Sequence, residues 1–408
     1  MTRRQAGVLA ACTVGNAVSM TPAVHAVFGT FLIPLSAEFG WPRAAISVVL
    51  TIMALTGAVI YPLAGRIADV RGARRLLVPA VALYGAGIMA LSLVDGSLWQ
   101  FYLTFFVVSL FGSVAATPIY AKVIAEWFAG GRGTALGIGS GLGNGLGSVL
   151  FPIVAALVIA NHGWRMGYVA VGALILLLAL PTLALLLRDA PRTAAVAAEA
   201  HAASGLTLAE AARRPHFWLI VVAVACGAGC TTAIFSHVVP ILADRGYGLD
   251  VATTVLSVFA LTTSAWQIVC GRLLDRFPSP RIVMPMTAVA VAGLMLLQFG
   301  AGAATLVFGG VLLGIGMGTQ YGVLPFFVAR YFGTLAFGAI IGTMYSAVIA
   351  AQGVTPILLD LGFDIQGSYR SGVLIACAVL AGATALLAAL PRYPDGEAAQ
   401  HPLVPAAA

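Results

Sequence analysis

Charge is what this sequence has least of. Asp, Glu, Lys and Arg together make up 9% of the 408 residues, Lys122 is the only lysine, and 61% of the residues are hydrophobic. Soluble globular domains carry about 25% charged and about 45–50% apolar residues. The composition therefore argues against an ordinary soluble domain and favours a protein that lies in a lipid bilayer.

Other absences narrow the possible functions. The phosphate-binding pattern G-x-x-x-x-G-K-[ST] does not occur, which argues against a pump that hydrolyses ATP on this chain. Cys226 and Cys230 share a helix face, but two thiols alone do not make a zinc site, so we expect no metal and no other cofactor. The predicted spans hold no Asp/Glu pair and no acidic residue deep inside, which argues against an enzyme that works within the membrane.

Long apolar stretches are abundant. A helix that crosses a bilayer needs about 20 apolar residues, and inside lipid the backbone polar groups must be satisfied within the element itself. Twelve stretches qualify, at about 7–36, 44–65, 74–95, 99–128, 133–160, 164–188, 216–243, 251–274, 281–301, 303–331, 334–360 and 369–390. The sequence therefore predicts an all-α membrane protein with twelve transmembrane helices.

The basic residues are distributed unevenly between the predicted loops. If the chain starts in the cytoplasm, sixteen of the 21 Lys and Arg residues face the cytoplasm. The basic residues in the other loops are Arg43, Arg165, Arg245 and Arg370. This positive-inside pattern predicts a multi-pass protein of the inner (plasma) membrane with both termini cytoplasmic. It also accounts for the net charge of +7 without a nucleic-acid partner.

The chain repeats itself after about half its length. The stretch "GRIADVRGARR" at Gly65 has a counterpart, "GRLLDRFPSPR", at Gly271, 206 residues later, and Pro34 and Pro240 are separated by the same 206 residues. Such an offset in a chain of 408 residues indicates a duplicated unit of six helices. Because six is even, both copies insert in the same orientation. The sequence predicts two pseudo-symmetric six-helix bundles, at 1–188 and 216–390.

A polar segment joins the two predicted bundles. Residues 189–215 are rich in Ala and polar residues, and we expect them to form a cytoplasmic linker. Within it, Thr207 and Glu210 have the spacing of a helix capping box. This spacing predicts a short helix from Leu208 to Arg214 that Pro215 ends. Residues 391–408 are predicted to be a cytoplasmic tail.

One charged motif carries a resemblance to a known family. Gly65, Asp69, Gly72 and Arg74 fit G-x-x-x-D-x-x-G-x-R after the second of twelve helices, and Arg75 extends the basic run. A weaker copy, at Gly271 and Asp275, follows the eighth helix. Motif, repeat and helix number together resemble the major facilitator superfamily. The resemblance implies two bundles that rock about a central site.

The same resemblance implies that the motif is a gate. Gly65 is expected to let helices approach closely, and Asp69 to neutralise the positive N-terminal end of the eleventh helix, with Arg132 as the cationic partner. A charge at a helix terminus stabilises by about 0.3–1 kcal/mol. The alternative is that these charges only set the topology of the loops.

Several stretches resemble the monocarboxylate and oxalate/formate branch of that superfamily: "FLIPLSAEFGWPRAAIS", "EWFAGGRGTALGIGSG", "TLAEAARRPHFW" and "SHVVPILADRGY". This branch usually places an arginine in the eighth helix to hold the substrate carboxylate. Here Gln267 occupies that position, one turn before Gly271. An amide cannot replace the charge of a guanidinium, so this departure puts a simple monocarboxylate substrate in question.

Ionisable side chains inside spans are candidates for the transport site, because they are expensive to bury in a membrane. His25 is a candidate for solute binding and His237 for proton coupling, and the alternative for each is a histidine held by a backbone carbonyl. Lys122 is a second candidate for solute binding, or else forms a structural pair with Glu126, one turn away. Further candidates to line a cavity are Gln267, Tyr120, Tyr321, Tyr345 and Asn144.

The prediction for function is a secondary active transporter. It moves a small organic solute, an organic acid in the leading version, by alternating access and with proton-coupled uptake. The alternatives are a facilitator or exporter of a neutral or zwitterionic solute, a channel, and a membrane receptor that does not transport. Its partners are the solute, protons and the lipid bilayer, and no oligomer is required.

Overall fold

The computed structural model describes residues 1–128, 135–189, 205–277, 279–333 and 336–393. Twelve long helices fill these ranges. They are α1 (Arg3–Phe39), α2 (Arg43–Arg71), α3 (Ala73–Ala90), α4 (Leu98–Val114 with Thr117–Trp127), α5 (137–162), α6 (164–186), α7 (Pro215–Asp244), α8 (Leu249–Arg276), α9 (Val283–Phe299), α10 (Ala303–Phe332), α11 (Phe337–Gln366) and α12 (Arg370–Ala388). The twelve-helix prediction is confirmed.

Eleven apolar helical runs among the described residues are long enough to cross a membrane. One of them, 137–186, contains both α5 and α6. Gly163 separates these two helices, because its φ of 80° and ψ of 169° are not helical. A positive φ costs glycine little, whereas it is strained for other residues.

Three of the helices are irregular near the middle of the bundle. In α1 a π-helical turn, Thr21–His25, begins with Pro22 in its first turn. In α4 the helix stops at Val114 and restarts at Thr117. In α5 residues 137–142 form a second π-helical segment. Irregular backbone within a membrane is tolerated where it lies against protein or lines a cavity.

Contacts near the helix termini define two ends of the bundle. At one end, which we call the terminal end, Gln5 donates a hydrogen bond to the carbonyl of Trp127, and Trp127 Nε1 donates to the carbonyl of Arg188. At the opposite end, the far end, Arg165 at the start of α6 donates to Glu38 at the end of α1. The N-terminus and the segment that joins the halves therefore lie at the terminal end.

The duplication is visible in the far-end contacts. Glu38, at the end of α1, accepts hydrogen bonds from Trp164 Nε1 at 2.5 Å and from Arg165 at 2.6 Å. Asp244, 206 residues later at the end of α7, accepts from the Ser368 hydroxyl at 3.2 Å and the Tyr369 N–H at 3.4 Å, beside the start of α12. Equivalent carboxylates thus tie the first helix of each half to its last helix.

Glycines on α5 allow two neighbours to pack closely. A Cβ on Gly143 or Gly147 would lie within 2.5 Å of a backbone carbonyl oxygen of α1, so these positions hold α5 against α1. A Cβ on Gly145 would lie 2.5 Å from Ser264 Oγ of α8, in the other half. Small residues at this spacing let helix backbones approach one another. The row Gly139, Gly143 and Gly147 therefore packs within the first half, and the row Gly137, Gly141 and Gly145 faces the second half.

The short helix that precedes α7 runs Leu208–Ala212, two residues shorter than predicted. Its capping box forms as the spacing predicts, with Thr207 and Glu210 bonded to each other's backbone N–H. Hydrogen bonds from Thr207 hold the pKa of the Glu210 carboxyl below its usual value. Just before this helix, the Leu206 N–H donates to the carbonyl of Phe332 at 2.8 Å, which ties the segment to the end of α10.

Candidate functional site

A cavity of about 550 Å³ lies between the two halves. Polar side chains from both halves line it, among them Ser19, Thr117 and Asn144 from the first and Thr232, Gln267 and Gln352 from the second. None of the described lining residues is Asp, Glu, Lys or Arg. His25 is the only basic side chain among these described lining residues. The cavity is therefore polar but almost uncharged.

The irregular segments of three helices face this cavity. Thr21 and His25 belong to the π-helical turn of α1, Thr117 and Pro118 begin the second part of α4, and Ser140 lies in the π-helical segment of α5. A continuous helix would distribute these polar side chains around its circumference. The breaks in the three helices direct them to the cavity instead.

Several lining side chains retain unused hydrogen-bonding groups. The Nδ1 atom of His25 and the hydroxyl of Ser140 are buried without a partner among the described residues. Gln352 donates to the hydroxyl of Thr232 at 3.0 Å, which leaves its carbonyl oxygen free to accept. A buried polar group without a partner destabilises the protein by about 1–3 kcal/mol. A polar solute that bonded these groups would remove this cost.

Asn144, in contrast, has few unused hydrogen-bonding groups, because its side-chain amide already bonds three segments. It accepts from Ser19 of α1 at 3.0 Å and donates to Thr117 of α4 at 3.2 Å and to the carbonyl of Ser140 at 2.9 Å. Three of the four hydrogen bonds that a carboxamide can make are therefore used. Asn144 holds the irregular parts of α1, α4 and α5 together at the cavity wall.

A buried polar cluster seals the far end between the halves. Asp360 of α11 and His237 of α7 both have fully buried side chains, and His237 Nε2 lies 2.9 Å from Asp360 Oδ2. Ser47 of α2 also bonds Oδ2, and the Tyr369 hydroxyl bonds Oδ1 at 2.6 Å. Because Ser47 belongs to the first half and Asp360 to the second, the cluster joins the halves directly.

A second carboxylate strengthens this contact. Asp364, one turn beyond Asp360, accepts from the backbone N–H of Arg43 at 3.0 Å and of Ala44 at 2.9 Å. These are the unpaired donors of the first turn of α2, where a negative charge is stabilising. The Arg43 guanidinium lies 3.8 Å from the centre of the Phe363 ring. Two turns of α11 thus hold the beginning of α2.

The sequence pattern of the Major Facilitator Superfamily matches residues 9–356. The chain belongs to this superfamily. Two solved structures share its fold over nearly its whole length. One is a bacterial homolog to the human lysosomal transporter Spinster in an inward-facing and occupied conformation, with a TM-score of 0.75, 18% identity, and coverage of 95% of this chain and 97% of that chain.

The second similar structure is a mutant of the nucleoside transporter NupG, with a TM-score of 0.71, 13% identity, and coverage of 94% of this chain and 98% of that chain. At these identities the likeness shows the fold alone. A comparison with curated protein sequences finds no match. As a member of the Major Facilitator Superfamily, the protein is a transporter rather than an enzyme.

The superfamily motif after α2 is only partly described. The side chains of Asp69, Asp275 and Tyr321, and the whole of Arg132, lie outside the described part of the structure. Arg74 bonds within the first half, through its N–H to Asp189 at 3.1 Å and its guanidinium to the carbonyl of Ala184 at 2.6 Å. Asp189 also lies against Gly72, whose φ is 87°. Arg75 is exposed.

Gly65 has no close helix contact among the described residues, so the expectation that it lets helices approach closely stays a prediction. A Cβ placed on Gly65 would meet nothing within 4 Å, and the same is true of Gly271 in the second copy of the motif. The described contacts between α2 and α11 lie toward the far end instead, where Thr51 bonds the carbonyl of Gly353 at 2.5 Å. Within the described part of the chain, both motif glycines are therefore without a close contact in this conformation.

Two predicted site residues lie away from the cavity. Tyr120 is fully buried inside the first half, where its ring packs on Gly15 of α1, because that face of α4 points into the bundle. The prediction that Tyr120 lines the cavity is wrong. Lys122 does not line it either, and its Nζ lies 2.5 Å from Glu126 Oε1, as in the structural alternative. His25, Asn144, Gln267 and Tyr345 do line it.

Asp360 is a buried carboxylate that was not among the predicted site residues. The expectation that no acidic residue lies deep in a span is wrong, since α11 continues to Gln366 and Asp360 is fully buried. The predicted span ended at 360, which placed this carboxylate at a boundary. The signal in the sequence was the helix-compatible run "LLDLGFDIQ" up to Gly367, whose φ of 69° ends the helix.

Proposed function

We propose that this protein is a secondary active transporter that moves a small, uncharged, polar organic solute by alternating access. The carrying observation is the cavity between the halves, which offers hydroxyls and carboxamides from both halves and no described Asp, Glu, Lys or Arg. In such folds the solute binds near the bilayer midplane between the repeats. A solute held there by both halves moves between membrane faces when the halves rock.

The likeness of several sequence stretches to the monocarboxylate and oxalate/formate branch supports an organic acid as the second candidate. A carboxylate is best held by a cation, and arginine provides a bidentate bond. The described lining offers only His25 for this role, and Gln267 makes no hydrogen bond to any described residue. The position of His25 in the cavity lining is the structural observation that supports an acid.

Uptake is proposed to be coupled to protons. His237 is fully buried in the seal at the far end and is paired with a carboxylate, as a proton-linked switch requires. The membrane is proposed to be the inner or plasma membrane, with both ends of the chain in the cytoplasm. All five predicted helix connections on that side contain or adjoin arginines, and this distribution favours the orientation.

Matched pairs of compounds test the solute class. Each pair consists of a small carboxylate and its amide, such as lactate and lactamide, so that size and hydroxyl content stay constant and only the charge differs. Thermal shift of the purified protein measures binding, and uptake into proteoliposomes with and without a pH gradient measures transport. We expect the amide or another neutral polyhydroxy compound to bind more tightly than its carboxylate.

The opposite preference, tighter binding of every carboxylate, would establish the organic acid instead. His25→Gln then separates the two cases. It should abolish binding of a carboxylate held by an imidazolium, whereas it should change the affinity for a neutral solute only about as much as one lost neutral hydrogen bond, roughly 0.5–1.5 kcal/mol. Lack of uptake for all compounds in active, oriented vesicles would count against transport itself.

A further inference from the structure

The hydroxyl of Tyr369 has a defined direction. Arg43 Nη1 lies 3.1 Å from the phenol oxygen. A guanidinium can only donate, so the phenol oxygen accepts from Arg43. The phenol hydrogen is then directed to Asp360 Oδ1, 2.6 Å away. Asp360 is thus the acceptor at the end of a chain of donors that starts in the first half of the protein.

The ring of His237 also has both nitrogens assigned. Nδ1 lies 2.7 Å from the carbonyl of Ala233, and Nε2 lies 2.9 Å from Asp360 Oδ2. A carbonyl oxygen accepts only, so Nδ1 carries a proton. A second proton lies between Nε2 and Oδ2, because two facing lone pairs would repel. With this number of protons, the His237–Asp360 pair is neutral as a whole.

We propose that Asp360 takes up the coupling proton and that its protonation releases the far-end seal. One further proton converts the pair from imidazolium and carboxylate to imidazolium and carboxylic acid, and its net charge becomes +1. One oxygen then changes from acceptor to hydroxyl, and Ser47 and His237 compete for the remaining lone pairs. A buried unpaired charge is strongly unfavourable, so water must enter and the halves must separate there.

Other charged groups surround the pair without replacing it. On α2, Arg43 reaches Asp360 only through Tyr369, and on α11 Asp364 is bonded to the first turn of α2. On α7, Asp244 accepts from the beginning of α12. α1 contributes the uncharged ring of Phe28, 5.3 Å from the His237 ring. Asp360 is the one of these carboxylates that is fully buried and bonded to donors from α2, from α7 and from the residue before α12.

The proton site and the solute site are separate. Neither His237 nor Asp360 lines the cavity, so a proton there does not act on the solute directly. It acts on the contact between α2 and α11, through Ser47. The inference rests on the proposed transport function and assigns the proton to a gate instead of the binding site. It therefore predicts a conformational response to pH in the absence of solute.

The experiment measures the width of the far end in nanodiscs without solute. Spin labels are attached at Trp99→Cys on α4 and Ile365→Cys on α11, two exposed positions in opposite halves, in a background whose five native cysteines are replaced by alanine. Double electron–electron resonance spectroscopy measures the distance between the two spin labels. We expect a longer distance to appear as the pH falls from about 8 to about 3, a range that covers the ordinary titration of His at about 6.5 and of Asp at about 3.9.

Asp360→Asn keeps the shape of the side chain but cannot take up the proton, so the distance should no longer change with pH. Asp364→Asn is the matched control, because it removes a carboxylate one turn away and should retain the response. Ser47→Ala leaves the charge pair intact and should move the transition to higher pH, which tests the inference if Asp360→Asn fails to fold. An unchanged pH response in Asp360→Asn, or one lost in Asp364→Asn only, would overturn the assignment.

Because the readout contains no solute, it separates the two proposals. A pH response that depends on Asp360, together with no uptake of any compound, would contradict the transport proposal and leave the gate in place. Uptake driven by a pH gradient, in a protein whose far-end distance does not change with pH, would support the transport proposal and overturn the gate.

Discussion

Thr51 of α2 donates a hydrogen bond of 2.5 Å to the backbone carbonyl of Gly353 in α11. The two helices touch at this point, since a Cβ on Gly353 would lie 2.8 Å from the Cβ of Ala54 and 3.3 Å from the Cα of Thr51. The absence of a side chain at residue 353 is therefore a requirement of the sealed far end.

Gly353→Val should force α2 and α11 apart. Overpacking of a close contact destabilises by about 1–3 kcal/mol, so we expect a lower melting temperature and a greater share of molecules open at the far end. Gly342→Val, on the same helix, is the control, because a Cβ at Gly342 would meet no described atom within 4 Å. Thermal unfolding in detergent compares the two. Equal melting temperatures for the two variants would show that the α2–α11 contact is not tight.

Gln267→Arg should change the solute preference. The guanidinium supplies the cation that the described lining lacks, and a hydrogen bond to a charged group contributes about 1.5–3 kcal/mol. Since about 1.4 kcal/mol is tenfold in affinity, small carboxylates should bind at least about tenfold more tightly, and the native solute more weakly. Calorimetry with lactate, formate and acetate measures this. Carboxylates that bind wild type and variant equally tightly would place the site elsewhere.

His237→Gln should uncouple transport from the pH gradient. Glutamine can bond Asp360 but cannot form the imidazolium–carboxylate pair that the coupling proton converts, so accumulation driven by the gradient should be lost while exchange of solute across proteoliposomes persists. His162→Gln, at an exposed position, is the control and should behave as wild type. Full gradient-driven accumulation in the His237 variant would make this histidine structural.

Asp69→Asn tests the motif after α2. The resemblance to the superfamily implies that this carboxylate stabilises the state closed at the terminal end. We expect the variant to insert normally and to expose single cysteines at that end to a membrane-impermeant thiol reagent more rapidly than wild type. Labelling rates that match wild type at both ends of the bundle would remove the gate interpretation.

A reporter fusion tests the orientation. An enzyme that is active only outside the cytoplasm, fused after Arg392, should be inactive, because the arginine distribution places that end in the cytoplasm. The same reporter inserted after Gly96, in the loop between α3 and α4, should be active. Activity of the first fusion would reverse the orientation of the whole bundle.

The sequence predicted the features that depend on local pattern. Apolar length gave the helices, the repeat at Gly65 and Gly271 gave the halves, and the spacing of Thr207 and Glu210 gave the capping box. These follow from periodicity and hydrogen-bonding rules that act within a few residues. The resemblance to the superfamily was drawn from the motif, the repeat and the number of helices, and the match over residues 9–356 confirms it.

The sequence did not reveal features that depend on which face of a helix meets which neighbour. Tyr120 and Thr117 lie one turn apart on α4, yet the first points into the bundle and the second into the cavity. Asp360 became visible as a buried group only when α11 was seen to extend past the predicted boundary. Its partner Ser47 is 313 residues away in sequence, a separation that no local pattern reports.

The two glycine rows of α5 have unequal consequences for motion. The row against α1 meets backbone, because a Cβ on Gly147 would overlap the Ala17 carbonyl. In the row against α8, a Cβ on Gly145 would lie 2.5 Å from the Ser264 hydroxyl, and a Cβ on Gly141 would meet α8 at an ordinary 3.7 Å. If the halves rock as proposed, α5 moves together with α1 and shifts relative to α8. Gly147→Ala should then lower the melting temperature, and Gly141→Ala should slow solute exchange while leaving the melting temperature nearly unchanged.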